Sequence, residues 1–388
     1  MTKRPIKILF DAVPLYQERP TGVGRTEAGL IAALAKNYPD DVELVGHYFD
    51  FLGRKKRRQA PTMLVHAPNI RYRRTVVLPG KVFNMCRRLR IPVPFEILVK
   101  ERGDFHLFPA FLGWPSLFRT PSAPYIHDAT YVDTPEYVSG PNLFDLRTVL
   151  PQVVGRSRFI ITNTVASKTS LQRVYPEYPH PFIIAHIPPV AAVRLSEEMA
   201  SERLNKLDIT TPFLLFHATL EPRKNLPGLI AAYRSLPSEF RDTYSLVISG
   251  GKGWKDDSIT SAIDDAKNDG LNIITLGYTS DEDRAALFMK ATLYILPSFY
   301  EGFGMQLLEA FTYQTPVLAS SIPVLREIGG DACAYCETDP ESIRQAIVSL
   351  LSNPDEQQRL IHNGTHRLQA FDWDDVARTV YEHIRSVL

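Results

Sequence analysis

The chain has 388 residues, 44% of them hydrophobic and 22% charged, with 44 Lys and Arg against 43 Asp and Glu and three cysteines. That length exceeds one ordinary core and predicts two domains, while the composition excludes disordered and collagen-like classes. No apolar run approaches the roughly 20 residues of a membrane-spanning helix, and three cysteines make no disulfide framework.

Met1-Thr2-Lys3-Arg4-Pro5 runs straight into a strand pattern at Ile6–Phe10, with no apolar signal core; a cytoplasmic protein is expected. Further strands are predicted at Val42–Tyr48, Phe105–Phe108, Tyr125–His127, Phe159–Thr162 and Phe182–His186. Helix periodicity fills Arg25–Lys36, Phe144–Val154 and Ala166–Val174. Between Phe51 and Phe95 lie 12 basic residues and no acidic one, including the run Arg54-Lys55-Lys56-Arg57-Arg58. Such a stretch suits phosphate groups, acidic headgroups or nucleic acid, or forms a solvated face. Ile187–Thr211, with Pro188-Pro189 and then a charged helix-like stretch, reads as the linker. The βα pattern then runs again. Strands are predicted at Phe213–His217, Ser245–Ser249, Ile273–Leu276, Leu293–Leu296 and Val317–Ala319, with helices near Leu226–Leu236, Ser258–Lys267, Asp281–Lys290 and Met305–Tyr313. The end is helical: Pro340–Leu351, Asp355–Leu368 and Trp373–Val387, with Asp339 and Asp372 as N-caps of the first and last. The expected partition is 1–190, a linker over 191–211, 212–370, and a terminal helix over 371–388. Charge divides with it: residues 1–188 hold 26 basic and 15 acidic residues, the remainder 18 and 28.

The sharpest motif is Ser298-Phe299-Tyr300-Glu301-Gly302-Phe303-Gly304-Met305-Gln306-Leu307-Leu308-Glu309, after one strand and opening a helix. Gly302 and Gly304 allow a sharp turn that brings N–H groups to an anion at a helix N-terminus. Glu301 and Glu309 are separated along the helix, which suits two hydroxyl-bearing groups better than one acid/base pair. Glu221-Pro222-Arg223-Lys224-Asn225 also follows a strand, and its adjacent cations suit a diphosphate. Thr21-Gly22-Val23-Gly24-Arg25 is a glycine loop without the third glycine of a dinucleotide fingerprint. His127-Asp128 stands at a strand end, as does Gly277-Tyr278. Gly250-Gly251-Lys252-Gly253-Trp254 reads as a turn. Cys333 and Cys336 have metal-like spacing but no second pair, and read as core.

The Glu301–Glu309 segment resembles the Glu-x7-Glu motif of family-four retaining glycosyltransferases of GT-B fold, and the likeness extends through Thr315-Pro316-Val317 to Glu327 and Gly330-Asp331-Ala332. The resemblance implies an α/β protein of two Rossmann-like domains facing each other across a cleft, with the C-terminal helix packing back on the first. It implies that Glu301 contacts the donor sugar, that Gly302, Phe303 and Gly304 offer backbone amides, and that Glu309 binds ribose. Arg223 and Lys224 then clamp the diphosphate, Gly22 and Gly24 approach it from the first domain, His127 lies near the reacting carbon, and Tyr278 lines the base pocket. Departures are Thr219 in place of an arginine, Gln306 in place of a frequent proline, and Gln314 where the helix commonly ends in glycine. The Leu-Glu-Pro-Arg-Lys-Asn and Tyr-Glu-Gly-Phe-Gly pairing resembles bacterial O-antigen and exopolysaccharide mannosyltransferases. GDP-mannose is the first expected donor, with UDP-glucose and UDP-N-acetylglucosamine as alternatives, no metal or other cofactor, and a glycan or polyprenyl-diphosphate-linked acceptor. The Arg54–Arg58 region would attach the protein peripherally to an anionic membrane. An epimerase or phosphorylase fits the motifs less well. A non-catalytic protein binding nucleic acid or acidic glycan through residues 51–95 leaves Glu301, Glu309, Arg223 and Lys224 unexplained.

Overall fold

The structure is a computed structural model that describes residues 4–17, 21–51, 63–76, 82, 85–86, 89, 91, 93–189, 191–253 and 257–388. The Arg54–Arg58 run and Trp254 lie outside the described residues. The chain divides into two compact units, residues 1–187 with 372–388 and residues 188–371.

In the first unit β1 (Ile6–Asp11), β2 (Val42–Phe49), β3 (Ile70–Thr75), β4 (Phe105–Phe108) and β5 (Ser122–Pro124) form a parallel sheet ordered β3-β2-β1-β4-β5. A parallel pair, β6 (Ile160–Thr162) and β7 (Phe182–Ile184), joins it through a bridge between Tyr125 and Ile161. The helix Gly22–Asn37 packs on this sheet through Leu30, Ile31 and Leu34. The last helix, Trp373–Ser386, joins the same core with Val376, Val380 and Ile384. The two helices touch closely: a Cβ on Gly29 would lie 2.0 Å from the Trp373 ring, and Tyr38 stacks on Tyr381 at 3.8 Å.

The basic stretch contains a strand that its composition concealed. In β3, Ile70 and Tyr72 pack against the core while Arg71 and Arg73 turn the other way. Arg71 pairs with Glu43 and Glu101, Arg73 with Glu101, and Arg74 lies 3.7 Å from Asp50. Hydrogen bonding from Arg71, against the opposing effect of burial, holds Glu101 down to about 2. These three arginines are therefore matched by carboxylates and are not a free basic face, which corrects the expectation for that part of residues 51–95.

In the second unit β8 (Phe213–His217), β9 (Ser245–Ser249), β10 (Ile273–Gly277), β11 (Leu293–Leu296), β12 (Val317–Ser320) and β13 (Ala334–Cys336) form a parallel sheet ordered β10-β9-β8-β11-β12-β13. Residues 191–211, expected as the linker, contain the helix Glu197–Lys206, which the second unit holds through Arg203–Asp283 at 2.7 Å and Lys290–Glu197. Asp339 and Asp372 cap their helices by accepting from the backbone N–H of Ser342 and Asp374. Cys333 and Cys336 are buried free thiols. After the helix Met305–Thr312, Gln314 adopts φ 58° and the Thr315 N–H bonds the Ala310 carbonyl at 2.9 Å. This is the left-handed helix stop that favours glycine, here accommodated by glutamine.

Candidate active site

The second sheet has the strand order of a dinucleotide-type fold, in which the chain reverses direction between the first and fourth strands. Here that point lies between β8 and β11, neighbours in the sheet. The loop after β8 carries Arg223 and Lys224, and the loop after β11 carries Ser298 to Gly304. Topology alone thus brings together two motifs 77 residues apart.

Asn225 fixes the first loop. It takes a left-handed φ of 56°, is buried, and donates to the Pro297 carbonyl at 3.1 Å and the Thr338 carbonyl at 2.8 Å. The Phe299 N–H in turn donates to the Arg223 carbonyl at 2.8 Å. With the backbones laced together, Lys224 Nζ donates to Glu301 Oε1 at 2.6 Å and Arg223 Nη1 to Glu301 Oε2 at 2.9 Å. Ser298 Oγ adds a third bond to Oε1 at 2.7 Å. Lys224 and Glu301 are only 3% and 4% exposed. Burial pushes Glu301 toward the protonated form, but Lys224 and Arg223 outweigh it and hold the carboxyl below the usual carboxylate range. Burial also brings the Lys224 ammonium below the usual lysine range, against the pull of Glu301. The result is a compact cluster in which Lys224 and Arg223 are matched by two carboxylates, Glu301 and Glu221, the latter's Oε2 accepting from Arg223 Nε at 2.8 Å.

Gly304 has φ 88° and caps the helix Met305–Thr312; a Cβ there would lie 2.6 Å from Leu325 Cδ2. Phe303 is buried edge-on to Phe371. Gly302 is half-buried. Glu309 does not join the Glu301 cluster. It pairs with Arg284, whose other nitrogen holds Asp281 at 2.6 Å. Burial opposes the charge on Arg284, but Glu309 outweighs it and raises the guanidinium pKa.

His217, at the end of β8, stands between the two clusters. Burial, then Arg284 and Lys224, push its imidazole down to about 3, so it is neutral. Its Nδ1 meets Ser249 Oγ at 3.1 Å, and Ser249 Oγ meets Thr279 Oγ1 at 3.0 Å. Arg284, His217 and the roles of Ser298 and Asn225 escaped the sequence reading. Ser298 and Asn225 stood inside the motifs, whereas no pattern singled out Arg284 within its helix.

Beyond β10, Gly277 has φ 65° and Tyr278 is 68% exposed. Gly250 fits close against the β8 loop: a Cβ on it would lie 1.8 Å from the Ala218 carbonyl oxygen.

Two residues of the first unit behave differently from expectation. The Gly24 N–H donates to Thr21 Oγ1 at 3.2 Å, and a Cβ on Gly24 would lie 2.9 Å from the Pro14 oxygen. Gly24 therefore serves close packing and the helix cap, while Gly22 is exposed. His127 is 6% exposed; Nε2 lies 3.3 Å from the Pro109 carbonyl and Nδ1 3.4 Å from Asn163 Nδ2. A carbonyl on one side and an amide donor on the other assign the proton to Nε2. Both ring nitrogens are engaged, and burial lowers the pKa. Among the described residues no group of His, Cys, Asp or Glu is arranged to hold a metal ion, and no helix is long and apolar enough to cross a membrane.

Residues 200–367 match the family described as glycosyl transferases group 1. The chain is 30% identical over 253 residues to O-antigen chain mannosyltransferase B of Escherichia coli, covering 64% of this chain and 66% of that protein. It is 28% identical over 202 residues to the serotype-specific mannosyltransferase WbdA of Escherichia coli, covering 51% of this chain and only 24% of the relative. Among solved structures, sucrose-phosphate synthase from Thermosynechococcus elongatus superimposes with a TM-score of 0.71 at 16% identity, covering 98% of this chain and 99% of that one. WaaG, a glycosyltransferase involved in lipopolysaccharide biosynthesis, does so with 0.67 at 15%, covering 97% and 99%. Those likenesses establish the fold: two Rossmann-like parallel sheets of the GT-B class.

Proposed function

We propose that this chain, a member of the glycosyl transferases group 1 family through residues 200–367, moves a hexose from a nucleoside-diphosphate sugar to an acceptor hydroxyl. The observation that carries the reading is the contact of buried Lys224 and half-buried Arg223 with the buried Glu301 at the switch point of the second sheet. A diphosphate leaving group gains charge as its bond to the sugar breaks, and preset cations in a dry site stabilise that charge without reorganising. An entering diphosphate takes over Arg223 and Lys224, and sugar hydroxyls take over the oxygens of Glu301. The amides of Gly302, Phe303 and Gly304 and the N-terminus they open favour the same anion. Glu309, oriented by Arg284, accepts from ribose hydroxyls; Tyr278 lies against the base. Gly22 approaches the diphosphate with its backbone, Gly24 shapes that turn, and His127 acts by ring contact rather than proton transfer.

The reaction retains configuration. The bond from the anomeric carbon to the diphosphate oxygen breaks, the acceptor oxygen attacks from the same face, and its proton passes to the departing phosphate. Arg223 and Lys224 supply the positive charge, so no metal is needed. GDP-mannose is the first donor, supported by the mannosyltransferase relatives, and the acceptor is a glycan or polyprenyl-diphosphate-linked glycan in polysaccharide synthesis. The protein works in the cytoplasm, held at the membrane by the Arg54–Arg58 region.

The test is a panel of GDP-mannose, UDP-glucose and UDP-N-acetylglucosamine with a lipid-linked acceptor mixture, scored by product mass and anomeric configuration, with and without EDTA. Mannosyl transfer with retention, undiminished by EDTA, is expected. Transfer only from a UDP-sugar replaces the donor; thermal stabilisation by oligonucleotides and by no nucleotide sugar overturns the reading.

A further inference from the structure

The first unit carries a second, separate concentration of positive charge that the reaction above does not use. A cavity of about 530 Å³ is lined by Arg119, Arg156 and Arg158, with His180, His106 and Trp114 completing much of its wall and no acidic residue in its lining. Its position follows from the chain: Ser122 opens β5, Arg156 and Arg158 precede β6, and His180 precedes β7. These are the N-terminal ends of parallel strands. The glycine loop after β1 and His127 after Tyr125 lie at the opposite, C-terminal ends of the same sheet.

None of the three arginines forms an ion pair with a described carboxylate, in contrast to Arg71, Arg73 and Arg74, all matched in the same unit. Arg119 is held with φ 57°, a backbone state that non-glycine residues seldom adopt. His106 is fully buried, yet neither of its ring nitrogens has a hydrogen-bond partner. Its closest charge is Glu96, with Oε1 3.7 Å from His106 Nε2; Ser116 Oγ and the Leu117 N–H bond Glu96 itself. Buried polar groups are seldom left unpaired unless a ligand or water completes them.

We propose that this cavity is a second ligand site, which takes a phosphate or phosphate-ester group. Arginine forks match tetrahedral oxyanions by paired N–H donors. Three of them around one cavity, with no carboxylate in its wall, set a positive potential that a neutral sugar does not need. The phosphate comes either from a free small ester or from a headgroup presented at a bilayer. The exposed Leu117 and Phe118 immediately precede Arg119 in the chain.

The experiment titrates the full chain with glycerol 3-phosphate, and separately with phosphatidylcholine vesicles with and without phosphatidylglycerol. It compares wild type, the Arg156→Gln/Arg158→Gln variant and the donor-site variant Arg223→Ala, each carrying glutamine at positions 54–58 in the vesicle arm so that the attachment proposed for that run does not contribute. The two exposed arginines can be replaced without disturbing the core, and a thermal melt checks that they were. The expected result is saturable binding, weakened about tenfold or more by the paired cavity substitutions and retained in Arg223→Ala. Binding of glycerol 3-phosphate identifies a free ester; binding to phosphatidylglycerol vesicles alone, with the same dependence on Arg156 and Arg158, identifies a headgroup. Binding that survives the paired substitutions, binding that vanishes in Arg223→Ala, or no binding of either probe overturns the proposal.

Discussion

Glu301 in the second unit and Glu27 in the first are both buried acids, 4% and 0% exposed, and they meet burial in opposite ways. Glu301 accepts from Lys224, Arg223 and Ser298 and stays ionised. Glu27, on the helix after the glycine loop, has no hydrogen-bond partner for either oxygen; burial, with Asp11 nearby, raises its pKa well above the ordinary value. A buried charge persists only when partners replace its lost hydration, and otherwise the group takes up a proton. The charge is thus kept where Lys224, Arg223 and Ser298 surround the carboxylate, and discarded where no such partners stand.

The sharpest way to break that contrast is to remove Glu301. With Glu301→Ala, hexosyl transfer should fall by at least about 100-fold. Lys224 then stays buried with Arg223 as a like-charged neighbour, so stability should also drop, by about 3 kcal/mol. Adding Lys224→Met should restore most of the stability and none of the turnover. Denaturant melts and initial rates on the single and double variants check this; a double variant no more stable than Glu301→Ala would mean that the pair is not coupled as described.

Much of this site was legible beforehand because its signals are local. Glycines before a helix, paired cations after a strand and two carboxylates one helix turn or more apart follow from residue order. The resemblance then placed them on one fold, and the sheet order explains why they meet. What was not legible depends on distant contacts. β3 was hidden because Arg71, Arg73 and Arg74 read as a charged run until Glu43, Glu101 and Asp50 supply their partners. Arg284 sat in a correctly expected helix, yet only the folded chain shows that it holds Glu309. The contacts of His127 with Pro109 and Asn163, and the close approach of Gly24 to the Pro14 carbonyl, likewise follow from no periodicity.

Acidification tests the same rule on bases. His47 and His106 in the first unit are pushed down to about 4 by burial, opposed at His106 by Glu96. His217 in the second stands at about 3, from burial and then Arg284 and Lys224. Each is neutral in the folded chain but protonates in the unfolded one below its ordinary value of 6.5, so stability falls as pH drops from 6.5 toward 4. Each contributes about 1.4 kcal/mol per pH unit in that window. Glu27 acts in the opposite sense over the same range, which leaves the first unit with three such losses, His127 being lowered by burial as well, against one gain. Denaturant melts at pH 7, 5.5 and 4.5 should show this decline; constant stability across the window would place protonated histidines in the fold.

The smallest effect isolates Glu27 itself. Its folded pKa lies above its ordinary 4.5, so its favourable contribution is full below that value and is lost as pH rises and the unfolded chain ionises. Glu27→Gln removes this dependence while keeping the shape. The variant should gain about 1–2 kcal/mol over wild type at pH 8, with the gain shrinking toward pH 4.5. Glu301→Gln should do the reverse at pH 8, because there the ionised form is the one with partners. If instead Glu27→Gln loses stability at pH 8, Glu27 is ionised and paired in the folded chain, and the two acids are alike after all.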